Sequence, residues 1–208
     1  MTEFARAARW AGILYLGIIL LGLGAEGGLR GPLIDWTDGA ATAQALQAQM
    51  GRFRLSIGFD IGMAVLDVAL AVVFFGMLRA VDAQLALMAM VFRLMQAAVI
   101  AVAVLCLFAA TQGADDPLPW LELHAAGYDL GLVFFGVNTL IMARLLAGIA
   151  PRWICRAMAA AGVVYLSGSL TRFLAPDWNA AMQPAYLIPV VAEVSLMLWL
   201  LVWAPRRI

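Results

Sequence analysis

Lysine is missing from this 208-residue chain, and all of its basic residues are arginine. No side chain can therefore form a Schiff base with a retinal, which excludes that class of membrane pigment. Histidine occurs once, at His124, so a haem held by two histidines is excluded, and nothing has the ligand spacing of a zinc-protease helix. Cysteine is nearly as scarce. Cys106 and Cys155 fall near opposite ends of their expected helices, so no disulfide is expected between them. Charge is sparse as well, at 12% of residues with a formal net of zero. There is no basic excess for nucleic acid and no acidic tail. Neither a phosphate-binding glycine loop nor a nucleophile elbow is present.

What fills the chain is apolar. Hydrophobic residues make up 65% of it and the mean hydropathy is +0.95, whereas a soluble domain carries charge on roughly a quarter of its residues. The expected fold is all-α, a single polytopic domain over 1–208 with six transmembrane helices at about 10–28, 55–78, 85–110, 120–143, 153–173 and 183–204. The first could pass for a signal peptide, but five further spans and a basic N-terminus favour a retained helix. Between the first two spans, Ala40 to Gly51 reads as a helix capped by Thr37 or Asp38, either lying in the membrane interface or forming an ordinary loop helix.

Six spans place both termini on one side. Arg6, Arg9, Arg79, Arg144, Arg152, Arg156, Arg206 and Arg207 fall with them, against Arg30, Arg52, Arg54 and Arg172 opposite. The positive-inside rule then gives a multi-pass protein of the bacterial inner membrane with cytoplasmic termini. Its obligatory partner is the lipid bilayer. No nucleic-acid partner, metal or cofactor is expected, and oligomeric state is not legible.

The spans are not uniformly apolar. Arg93 and Gln96 lie inside the third, Asp60 and Asp67 almost two turns apart on one face of the second, and Glu193 inside the sixth. The fourth carries Glu122, His124, Tyr128, Asp129 and Asn138. Its uncharged part, Leu130 to Ala143, is shorter than the roughly 20 residues that cross the hydrocarbon, so Asp129 must sit within the membrane. Counting from the turn near Val81 puts Asp67 and Arg93 at one depth, about 20 Å up, where they can pair. Glu193 comes out at a similar depth. Asp60, Asp129 and His124 lie further from the termini.

Four acids at depth facing Arg93 leave a surplus of carboxylates, and a polar pocket opening away from the cytoplasm would spare them lipid. The first functional expectation is a site for a small lipophilic molecule with a polar head, as binding protein or enzyme. Arg93, Gln96, Tyr128 and Glu193 would bind it, with Asp60, Asp67 or Asp129 as acid or base and His124 as gate or proton carrier. A non-catalytic scaffold using the polar groups as interhelical glue is the second reading, and proton or cation translocation the third.

The stretches "ARWAGILYLG", "DGAATAQAL", "FRLSIGFDIGMAVLDVALA", "FRLMQAAVIAV", "LELHAAGYDLGLVFFG" and "VVAEVSLMLWLLV" together resemble the bacterial integral-membrane family catalogued as domain of unknown function 4386. The likeness runs through nearly the whole chain in order. It implies a six-helix membrane protein and no particular activity. Where the family pattern often has histidine after "FFG", this chain has Asn138, a departure that argues against a two-histidine metal site.

Overall fold

The computed structural model describes residues 2–113 and 115–204, so Arg206 and Arg207, counted above with the termini, lie outside the described residues. Those residues are almost entirely helical, and no strand occurs among them. Six helices are long and apolar enough to cross a membrane.

The first span begins at Glu3, earlier than hydropathy suggests, because the Thr2 side chain accepts from the Ala5 N–H and starts a helix, α1 (Glu3–Leu23). It does not stop at its glycines. The chain continues through a π-helical turn, Gly24–Arg30, and a 3₁₀ turn, Gly31–Leu33, both on the same axis. After a bend, Asp38 caps α2 (Gly39–Ala48) by accepting from the Ala41 N–H. Only Gln49 separates α2 from α3 (Met50–Leu78), so the second span starts inside what the sequence assigns to the preceding helix. Gly51, read as a stop, is tolerated as an ordinary helical residue.

Asp82 caps α4 (Ala83–Ala110) through the Leu85 N–H, which keeps the α3–α4 turn short. Next come α5 (Leu118–Leu145) and α6 (Arg152–Leu174), joined by a turn in which Gly148 adopts φ +92°. The last span is broken by its prolines. Pro176 opens a short surface helix, α7 (Pro176–Met182), and Pro184 sits in a 3₁₀ turn, Gln183–Tyr186. The span then runs on as α8 (Leu187–Leu198) with a π-helical end, Trp199–Trp203.

The spans pack in chain order as a ring: α1 on α3, α3 on α4, α4 on α5, α5 on α6, α6 on α8, and α8 with its π-helical end back on α1. Small residues let the backbones approach. A Cβ on Gly162 would lie 2.9 Å from the Gly136 carbonyl oxygen, and one on Gly12 would lie 2.7 Å from Leu201 Cγ. Outward faces carry stripes at helical spacing, such as Ile61, Val65, Val68 and Val72 on α3 or Val91, Met95, Val102 and Leu105 on α4. These exposed apolar stripes are the surface a bilayer covers.

Inside the ring, the half nearer the termini is filled by Phe74, Met77, Leu78, Leu145, Leu146, Met158, Leu196 and Leu200. The other half is where the polar groups gather. A second, smaller apolar cluster there packs Leu46 of α2 against Leu33, Phe53, Leu107 and Leu121, fastening α2 over the ends of α3, α4 and α5.

Candidate functional site

The ring order brings most of the charged groups in the spans against partners on neighbouring helices. Arg93 on α4 donates from Nη2 to Asp67 Oδ1 on α3 at 2.5 Å, and Gln96 donates to Asp67 Oδ2 at 3.2 Å. The equal-depth count anticipates this pair. The guanidinium is buried within reach of three rings, 5.3 Å from the Tyr15 centroid, 5.9 Å from Phe74 and 5.1 Å from Phe135. Its Nε has no hydrogen bond, and the ring quadrupoles stand in for the missing acceptor.

Two of the other carboxylates expected at depth, Asp60 and Asp129, have arginine partners too, which narrows the expected surplus. Arg30, assigned from sequence to a loop, lies at 3% exposure and donates from Nη1 to Asp60 Oδ2 at 2.7 Å and from Nη2 to Glu26 Oε2 at 2.5 Å. Ser56 stands beside it and returns its own proton to the Phe53 carbonyl. Arg172, read from sequence as the basic end of the fifth span, is ion-paired with Asp129 across α5 and α6. Glu193 has no arginine partner. It accepts from the Tyr165 hydroxyl, and the Tyr15 hydroxyl faces it from α1.

Three arginines rather than one therefore serve the acids at depth. Sequence reasoning missed two of them as partners because each stands at the end of a span and was counted with the charges of the outer side. One signal was available: Glu26 and Arg30 are four apart, as an ion pair on a helix requires.

Between α1, α3, α5, α6 and α8 lies a cleft of about 560 Å³. Along α1 its wall is Ile18, Gly22, Glu26 and Arg30, each one turn from the next. Its mouth is at the ends of the spans away from the chain termini. Glu26 remains 63% exposed there, and Arg172 35% exposed. Ile34 and Trp36 flank that mouth, while α2 takes no part in the lining. At the floor, Glu193 and Tyr165 meet, and Glu193 keeps part of its surface open to the cleft.

Of the expected site residues, Asp60, His124, Tyr128, Asp129 and Glu193 line this cleft. Asp67, Arg93 and Gln96 do not; they form a sealed trio between α3 and α4. Glu122 is exposed on the outer face of α5. Asn138 is buried toward the termini side and donates to the Ala89 carbonyl at 2.7 Å, holding α5 to α4.

His124 is bonded on one side only. Its Nδ1 lies 3.1 Å from the Ala103 carbonyl oxygen, which can only accept, so Nδ1 carries the proton and Nε2 of the neutral ring is an acceptor. One turn on, the Tyr128 hydroxyl has no hydrogen-bond partner among the described residues. The two rings are 6.3 Å apart and both face the cleft.

Six apolar spans closed into a ring, with ion pairs buried between neighbours, define a multi-pass integral membrane protein. The family model described as Domain of unknown function (DUF4386) matches residues 10–203, and the chain belongs to that family. No curated protein and no solved structure matches it.

Proposed function

We propose that the protein binds a small amphipathic molecule in the cleft between α1, α5 and α8, with the mouth facing away from the cytoplasm. One observation carries this reading: a volume of about 560 Å³, within the range of small-molecule pockets, persists inside an otherwise close-packed bundle. Its walls are largely apolar, from Ile18, Met63, Leu121, Leu132, Val190 and Val194, which suits a hydrocarbon tail. Polar side chains stand at fixed levels among them, which suits a head that must be oriented.

The binding residues are then Asp60, His124, Tyr128, Asp129 and Glu193, joined by Tyr165 and Arg172. Asp67, Arg93 and Gln96 act through the architecture, by fixing the register of α3 and α4. The orientation follows from charge. Arg6, Arg9, Arg79, Arg144, Arg152 and Arg156 fall on the termini side, against Arg30, Arg52, Arg54 and Arg172 opposite, of which Arg30 and Arg172 are paired with carboxylates, so the positive-inside rule assigns the termini to the cytoplasm. In this frame α2 and α7 lie at the outer interface, and Trp36 and Trp178 suit the headgroup level. Ion passage is the weaker reading, because below Glu193 the ring interior is packed with large apolar side chains.

The test is native mass spectrometry with lipid extraction on protein purified in a mild detergent. Wild type is compared with Ala125→Phe, which fills the cleft from α5 without touching an ion pair. A specific molecule that co-purifies with wild type and is lost from a variant of unchanged thermal stability supports the reading. A wild-type cleft that takes up nothing, from the cell or from an added panel of alkyl compounds, counts against it.

A further inference from the structure

The cleft is not electrostatically neutral, and below its rim every free hydrogen-bonding group can accept. Glu26, Asp60, Asp129 and Glu193 line it against Arg30 and Arg172, so the formal carboxylates outnumber the guanidiniums. Arg30 is fully engaged: its Nε and Nη2 go to Glu26, and Nη1 goes to Asp60. An anionic head would have to displace a carboxylate to reach it. Arg172 is already paired with Asp129, and its half-exposed position at the rim leaves the rest of its guanidinium to water.

Acceptors, by contrast, stand at successive levels, each with lone pairs to spare. Glu26 is at the mouth. His124, only 5% exposed overall, turns the one ring nitrogen not bonded to protein, Nε2, to a cleft it lines. The Tyr128 hydroxyl is one turn deeper, about 6 Å along α5. Glu193 stands at the floor without an arginine. Aromatic faces surround that floor: Tyr165 and Tyr186 meet edge to face at 6.0 Å between centroids, and Tyr128 completes the wall. Acidic groups ringed by tyrosines are the surroundings that favour a cation over any other head.

Resting on the amphiphile-binding reading, we propose that the head is a cationic hydrogen-bond donor, an alkylammonium, seated against Glu193 among the tyrosines with His124 Nε2 accepting along its path. The tail lies against the apolar side chains of α1 and α8. The donor groups of an ammonium match His124 Nε2, the Tyr128 hydroxyl and the lone pairs that the tyrosines leave on Glu193, and its charge offsets the one carboxylate without an arginine.

The test is isothermal titration of wild-type protein in phosphatidylcholine nanodiscs, with empty nanodiscs subtracted, using dodecylammonium, dodecanol and dodecanoate. Dodecylammonium is expected to bind at least tenfold more tightly than either of the others. Glu193→Gln is expected to cut that preference to threefold or less, by weakening dodecylammonium more than dodecanol. His124→Phe provides a second variant, expected to weaken the ammonium selectively, should the first fail to fold. Equal or tighter binding of dodecanoate or dodecanol overturns the cationic head and leaves the amphiphile site standing. If none of the three binds in a manner that Ala125→Phe abolishes, the cleft reading itself falls.

Discussion

Arg93 keeps its charge in hydrocarbon, and Asp67 with three aromatic rings supplies what water would otherwise give. Breaking a buried pair leaves the survivor uncompensated, at a cost of about 3–5 kcal/mol. Asp67→Asn and Arg93→Met are each expected to lower stability by that order in nanodisc melts. Asp67→Leu with Arg93→Met should recover most of the loss, whereas strictly additive losses would show the two residues uncoupled. This pair was legible in the sequence because a short turn fixes the register of α3 against α4, so depth could be counted residue by residue. Arg30 was not, since a π turn between Gly24 and Arg30 shifts its phase and a row of glycines made it look like loop. Asp35 lies outside the spans. The Thr37 hydroxyl and backbone N–H both donate to it, holding its carboxyl below the ordinary value. Its contribution to ordering residues 34–38 is therefore complete above the unfolded value of about 3.9 and is lost as pH falls through the folded one. The protection of that segment's amides, with the intrinsic pH dependence of exchange divided out, should hold at pH 5 and fall only below the usual Asp range. Asp35→Asn should be less protected than wild type at neutral pH, and protection that does not change with pH would sink the idea.

At the scale of the element, α5 and α6 touch through glycine. Gly162 meets the Gly136 carbonyl so closely that an added Cβ, 2.9 Å from backbone oxygen, must push the helices apart. Gly162→Ala is expected to cost about 1–3 kcal/mol, as overpacking does. Gly76→Ala, where nothing lies within reach of a new Cβ, should be neutral or slightly stabilising. Similar melting temperatures for the two variants would refute the close-packing account. Helix interiors were legible from apolar periodicity, but their ends were not. Gly51 and the glycines after Leu23 are weak helix breakers when neighbouring spans supply packing, so α3 and the first span run past them. The prolines before α8 acted the other way, adding a separate surface helix that hydropathy merged into a loop.

For the whole molecule, the number of spans was plain in the sequence, and the shape of the cleft was not. Which helices meet depends on ring closure, and no count along the chain reveals that α8 returns to α1. The orientation in the membrane can be checked directly in a chain whose Cys106 and Cys155 are replaced by serine. A membrane-impermeant thiol reagent added to intact cells should label Asp38→Cys and spare Asp82→Cys, and the reverse pattern would invert the topology. Ring closure also bears on how the chain is made. Spans leaving the ribosome in order can form the Arg30–Asp60 pair as soon as α3 arrives and the Arg93–Asp67 pair with α4, so the early helices have partners during synthesis. Part of the inner face of α1 does not: Gly12 waits for Leu201, and the Tyr15 hydroxyl for Glu193. A nascent chain stalled before its final span would present that small, polar-edged strip of α1 sideways to the lipid. Such a strip is a natural foothold for a quality-control protease or a membrane chaperone.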